Sequence, residues 1–103
     1  MHPAIADHKD EIANLCRSFG VRRLQVFGSA ARATDFDPER SDADFLVEFA
    51  DEARADPLKQ YFGLVSALEA TLGRRVDLVE PRAIKNPYIL ATVNEDRQTL
   101  YET

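Results

Sequence analysis

Leu58, Tyr61, Phe62, Val65, Leu68 and Leu72 recur at helical spacing between two short strand-like runs. That placement constrains the fold more than any other feature. The helix has an N-cap candidate in Asp56, proline at its first turn in Pro57 and a stop in Gly73. The run before it is Asp44-Phe45-Leu46-Val47-Glu48-Phe49, and the run after it is Arg75-Val76-Asp77-Leu78-Val79. Two strands joined by a crossover helix lie parallel in one sheet. The helix then covers one face of that sheet and leaves the other for something else.

The rest of the chain extends this plan. Ile5, Ile12, Leu15, Cys16 and Phe19 predict a first helix over about 5–19, closed by Gly20. Val21 to Phe27 reads as a strand, and residues 28–41 as a loop with room for one helical turn after Ser29. Residues 43–49 form the second strand, and residues 51–56 are a solvated connection. Asn86 is placed to cap a last helix, with Pro87 at its first position and Ile89, Leu90, Val93 and Leu100 facing inward. The order is α-β-β-α-β-α. The fold class is α/β (α+β): a small mixed sheet of three or more strands with helices on one face.

A chain of 103 residues is expected to make one domain over 1–103. Its 45% apolar and 30% charged content is that of a soluble globular protein. No apolar stretch approaches the ~20 residues of a membrane span, and residues 1–10 lack a signal-peptide core. A cytoplasmic address is the expectation. The formal net charge of −5 argues against direct binding of DNA or RNA, which needs clustered Lys and Arg. A small anion such as a nucleoside triphosphate remains compatible, because a metal ion brings local positive charge.

The chemistry-bearing residues sit at strand ends. The run Leu24-Gln25-Val26-Phe27 stops at Gly28-Ser29, and Asp42-Ala43-Asp44 opens the next strand. Side chains at i and i+2 of a strand point the same way, so Asp42 and Asp44 share a face. Two carboxylates held together repel unless a cation or protons intervene. Asp77 is a third acid in an otherwise apolar strand, with Val76 and Leu78 pointing to the opposite face. If its strand lies beside the second, the three acids converge and suit one or two Mg²⁺ ions. Gly28 permits close backbone approach, and the Ser29 hydroxyl can hydrogen-bond a phosphate oxygen. Alone, an acidic pair at a loop-to-strand junction is a solvated turn. Order, spacing, strand context and a third acid together say more.

Other residues read as structural. Cys16 lies on the apolar stripe of the first helix, and a lone cysteine excludes a disulfide framework. His2 and His8 read as exposed and inert near the terminus, and Arg74-Arg75 as an exposed pair. Tyr61 and Phe62 are expected in the core. Asp35-Phe36-Asp37-Pro38-Glu39 fails as a calcium loop, because Arg40 and Leu46 stand where glycine and glutamate are needed.

Phe27-Gly28-Ser29-Ala30-Ala31-Arg32, followed by Ser41-Asp42-Ala43-Asp44-Phe45-Leu46-Val47, resembles the signature of the minimal nucleotidyltransferases of the DNA polymerase beta-like superfamily. The chain departs in having Ala33 after the arginine, a longer stretch from Ser29 to Asp42, and Ala43 and Phe45 for branched aliphatics. The resemblance implies a polymerase beta-like palm that uses Mg²⁺ and ATP. It implies that Asp42, Asp44 and Asp77 hold metal and carry catalysis, with Asp77 assisting deprotonation of the acceptor. Gly28, Ser29 and Arg32 would contact the triphosphate. It further implies an antitoxin that transfers AMP to a tyrosine of a HEPN-domain toxin, in a hetero-oligomer with it.

A second reading stays open: a binding module that neutralises its partner by steric contact, with the acidic site idle. Transfer to a small-molecule hydroxyl is a weaker third, since 103 residues leave no room for an acceptor lobe.

Overall fold

The computed structural model describes residues 1–28, 31, 42–50, 56–81, 84–88, 90–91 and 97–103. Its elements are α1 (Pro3–Ala6), α2 (Lys9–Ser18), β1 (Val21–Phe27), β2 (Ala43–Phe49), α3 (Pro57–Leu72), β3 (Val76–Val79) and β4 (Gln98–Glu102). The four strands form one mixed sheet in the order β3-β2-β1-β4. β1 is antiparallel to β2 and to β4, and β2 is parallel to β3 across the α3 crossover. The expected α/β class and the parallel pair are both present.

α3 begins and ends where its punctuation requires. The Asp56 carboxylate accepts from the Lys59 N–H at 3.1 Å, and Gly73 closes the helix in the left-handed region at φ 65°. Leu64, Leu68 and Leu72 are buried, with Tyr61 and Val65 packed beside them. Leu58 and Phe62 are instead 70% and 61% exposed, which corrects the expectation that Phe62 is core. They lie past the edge of the stripe that meets the sheet, and Phe62 rests edge-on against the Tyr61 ring at 5.2 Å.

The first helix is two pieces, not one. The His2 ring accepts from the Ala4 N–H at 3.0 Å, and Pro3 opens the short α1. His2 is thus a cap and not part of an idle tail. His8 then leaves helical geometry (φ −106°, ψ 14°) and α2 restarts, with Asp10 and Glu11 in its first turn and Arg17 in its last, matching the helix dipole.

Leu100 corrects a second expectation. It is buried in β4, not on a last helix. The Asn86 side chain does accept from the Tyr88 N–H at 2.9 Å, so a helical turn begins there. Ile89 and Val93 lie outside the described residues. Thr99 and Tyr101 flank Leu100 and favour the extended chain, and β1 gains from β4 a second hydrogen-bonded neighbour.

Strand parity sorts the faces. Ala43, Phe45, Val47 and Phe49 of β2 join Leu24, Val26, Leu78 and Leu100 in the core against Ile5, Ile12, Cys16, Leu64 and Leu68. Asp44, Leu46 and Glu48 alternate with them and face away. Among the described residues no helix is long and apolar enough to cross a membrane.

Candidate active site

The candidate site lies at one end of the face that α2 and α3 leave uncovered. β1 leaves the sheet there at Phe27, β2 enters at Ala43 and β3 at Val76. Across these strands Asp44 stands opposite Phe27 on one side and opposite Asp77 on the other. Paired residues of parallel neighbours point to the same face, so the two carboxylates are brought to one side of adjacent strands. Asp42 lies two residues before Asp44, ahead of the strand proper. Asp42 and Asp77 are exposed, and Asp44 is half-buried. Ala43, between the two acids of β2, is anchored by its N–H to the Arg75 carbonyl at 3.0 Å.

Gly28 is required here twice over. Its φ of 70° is a region L side chains rarely adopt. A Cβ on it would stand 2.8 Å from Asp44 Oδ2. The Asp44 carboxylate therefore lies against the backbone where β1 ends. The bend continues through the Ala31 N–H, which donates to the Gly28 carbonyl at 3.1 Å. Ala31 is buried, and its carbonyl accepts from Gln98 Nε2 of β4 at 3.2 Å. Ser29 and Arg32, the other expected phosphate contacts, lie outside the described residues.

The backbone thus brings the three acids to one end of the sheet. Their side chains do not close into a ready-made ligand set: among the described residues no three His, Cys, Asp or Glu groups are gathered tightly enough to hold a metal ion. Like charges on adjacent strands repel. The donor chemistry nevertheless fits a hard divalent cation, being all carboxylate oxygen on an open face.

Sequence reading missed the supports around these acids. Tyr61 of α3 donates its hydroxyl to the Leu78 carbonyl. Its own acidity is weakened, first by burial and then by the nearby Asp77 and Glu80 charges. Glu69 of α3 accepts from the Val76 N–H at 3.2 Å. A tyrosine and a glutamate along an otherwise apolar helix face are the signals that could have found them.

The four-stranded mixed sheet with its crossover helix has counterparts among known proteins. The chain belongs to the nucleotidyltransferase domain family, whose family model matches residues 9–100, and it is a nucleotidyltransferase. It is 40% identical over 79 residues to the protein adenylyltransferase MntA of Thermococcus cleftensis, covering 77% of this chain and 72% of that one. Among solved structures, a candidate minimal nucleotidyltransferase matches with a TM-score of 0.74 and 32% identity over 95% of both chains. A chain of a toxin–antitoxin crystal structure with AMP-PNP matches with a TM-score of 0.68 and 26% identity, over 92% of this chain and 73% of that one. The resemblance to the minimal nucleotidyltransferases is thereby borne out.

Proposed function

We propose that this nucleotidyltransferase moves AMP from ATP to a tyrosine hydroxyl of a HEPN-domain toxin and so acts as its antitoxin. The observation that carries the reading is the register of Asp44 opposite Asp77, beside a Gly28 whose positive φ favours glycine and against which the Asp44 carboxylate lies. The adenylyltransferase relative and the toxin–antitoxin neighbour with its ATP analogue support the nucleotide and the partner. Asp42, Asp44 and Asp77 would hold one or two Mg²⁺ ions. When bound, these would supply charge neutralisation at the triphosphate and a lowered pKa for the attacking hydroxyl.

The chain's own residues do the rest. Gly28 lets the triphosphate approach the backbone, with Ser29 and Arg32 as its side-chain contacts. Asp77, exposed at the open edge of the sheet, accepts the proton of the acceptor hydroxyl. The freed oxygen attacks the α-phosphorus in line, a new P–O bond forms, and the bond to the β-phosphate oxygen breaks with pyrophosphate leaving. ATP as substrate supports a cytoplasmic setting, and the acidic balance supports a protein acceptor over direct binding of nucleic acid.

The test is incubation with labelled ATP, Mg²⁺ and a HEPN-domain protein as acceptor. Label on that protein, lost when Asp42→Asn and Asp44→Asn are combined in a folded variant, supports the reading. A stable complex without label overturns catalysis in favour of steric neutralisation.

A further inference from the structure

Among the described residues β3 is the edge strand on the acidic side of the sheet, four residues long and paired with β2 alone. The Arg75 carbonyl accepts from the Ala43 N–H, so it faces β2. Backbone groups alternate sides along a strand. Asp77 therefore also turns its N–H and C=O toward β2, while Val76 and Leu78 turn theirs to the bare outer edge. Unpaired edge groups let a short strand slip or fray.

Two side chains from α3 meet that edge. Glu69 takes the Val76 N–H at 3.2 Å, and Tyr61 donates to the Leu78 carbonyl. They bracket Asp77, one residue to either side. Both come from the helix that makes the crossover, and Glu69 is only seven residues from the strand it holds. Tyr61 also packs against the core, and Leu78 is buried within it, so the brace is rooted in packed structure at both ends.

We propose that Tyr61 and Glu69 are positioning residues that clamp the outer edge of β3 and so keep Asp77 in register with Asp44. This rests on the proposed role of Asp77. The clamp acts on backbone, not on the reacting groups. Among the described residues it takes, on the outer side of β3, the place that a further neighbouring strand would have.

The experiment pairs amide hydrogen exchange of the metal-free protein with kinetics of the whole complex. Tyr61→Phe keeps the ring and removes only the hydroxyl. Its Asp77 and Val79 amides are expected to exchange about tenfold faster than in the parent while β1 amides keep their rates. The Mg²⁺ concentration for half-maximal transfer is expected to rise about tenfold with KM for the acceptor unchanged, as for supports behind metal ligands. Glu69→Ala should do the same. Glu69→Gln retains an acceptor oxygen for the Val76 N–H and should restore both readouts. Unaltered β3 exchange in Tyr61→Phe and Glu69→Ala overturns the clamp. Faster exchange with an unchanged Mg²⁺ requirement overturns its link to Asp77. If the parent itself transfers no label, the proposed function fails, while the exchange data still decide whether the brace exists.

Discussion

The two ends of the sheet face opposite α2 and α3 treat charge in opposite ways. At the far end Arg23 stands in register with Glu48 on one side and Glu102 on the other, and its guanidinium lies 2.9 Å and 3.5 Å from their carboxylates. The Glu48 hydrogen bond is the main reason the Arg23 pKa is raised. At the near end acid stands across from acid, Asp44 opposite Asp77, with Asp42 close behind. Opposite charges across strands support a sheet, and like charges in the same positions weaken it. One sheet thus pairs opposite charges across its strands at one end and sets acid opposite acid at the other, and the acidic end is the one to which the proposed function assigns the cation and the polyphosphate.

The sharpest way to break this contrast is to remove the acids. Asp42→Asn with Asp44→Asn should lower label transfer on the order of a thousandfold, since metal-based charge stabilisation is worth several kcal/mol. The melting temperature should change little, because both substitutions keep the side chain's size and Asp42 is exposed. A drop in melting temperature would make these acids structural. Next in size is Gly28→Ala, which meets both a positive φ and the Asp44 carboxylate. We expect a stability loss of about 1–3 kcal/mol by denaturant titration and transfer reduced about a hundredfold by misplacement of the site. Arg23→Ala probes the neutralised end. It should cost about 1 kcal/mol or less, shrink further in high salt, and leave transfer at the parent rate; a lost activity would mean the two ends are coupled.

The smallest effect concerns the covered face. Burial pushes the Cys16 thiol up to about 12 from its ordinary 9.0. A neutral thiol favoured by the fold leaves stability unaffected below pH 9 and erodes it as the unfolded chain ionises between 9 and 12. Native protein should therefore resist alkylation near pH 8 and react only when denaturant is added.

Much of this plan could be read before any coordinates. Val21 to Phe27 and residues 43–49 were bounded correctly because alternation and Gly28 are local signals, and Asp56, Pro57 and Gly73 delimit α3 by their own chemistry. The crossover rule made β3 parallel to β2 and let Asp77 approach Asp42 and Asp44 if the two strands were neighbours; the register of Asp77 opposite Asp44 came from the structure. What escaped needs a partner distant in sequence. β4 is a strand because β1 is there to receive it, so Leu100 looked equally at home on a helix. Phe62 looked like core because periodicity does not locate the edge of the face that the sheet covers. Tyr61 and Glu69 were invisible as braces until the outer edge of β3 had a direction. Ser29 was read from its place after Gly28 and Arg32 from the resemblance, and both lie outside the described residues.

One contact carries a consequence for how the molecule is made. Gln98 grips the carbonyl of Ala31, 67 positions upstream, just past the bend at Gly28. In synthesis order the acidic strand and its crossover helix both precede Gln98, so that bend is fastened only after they have been made.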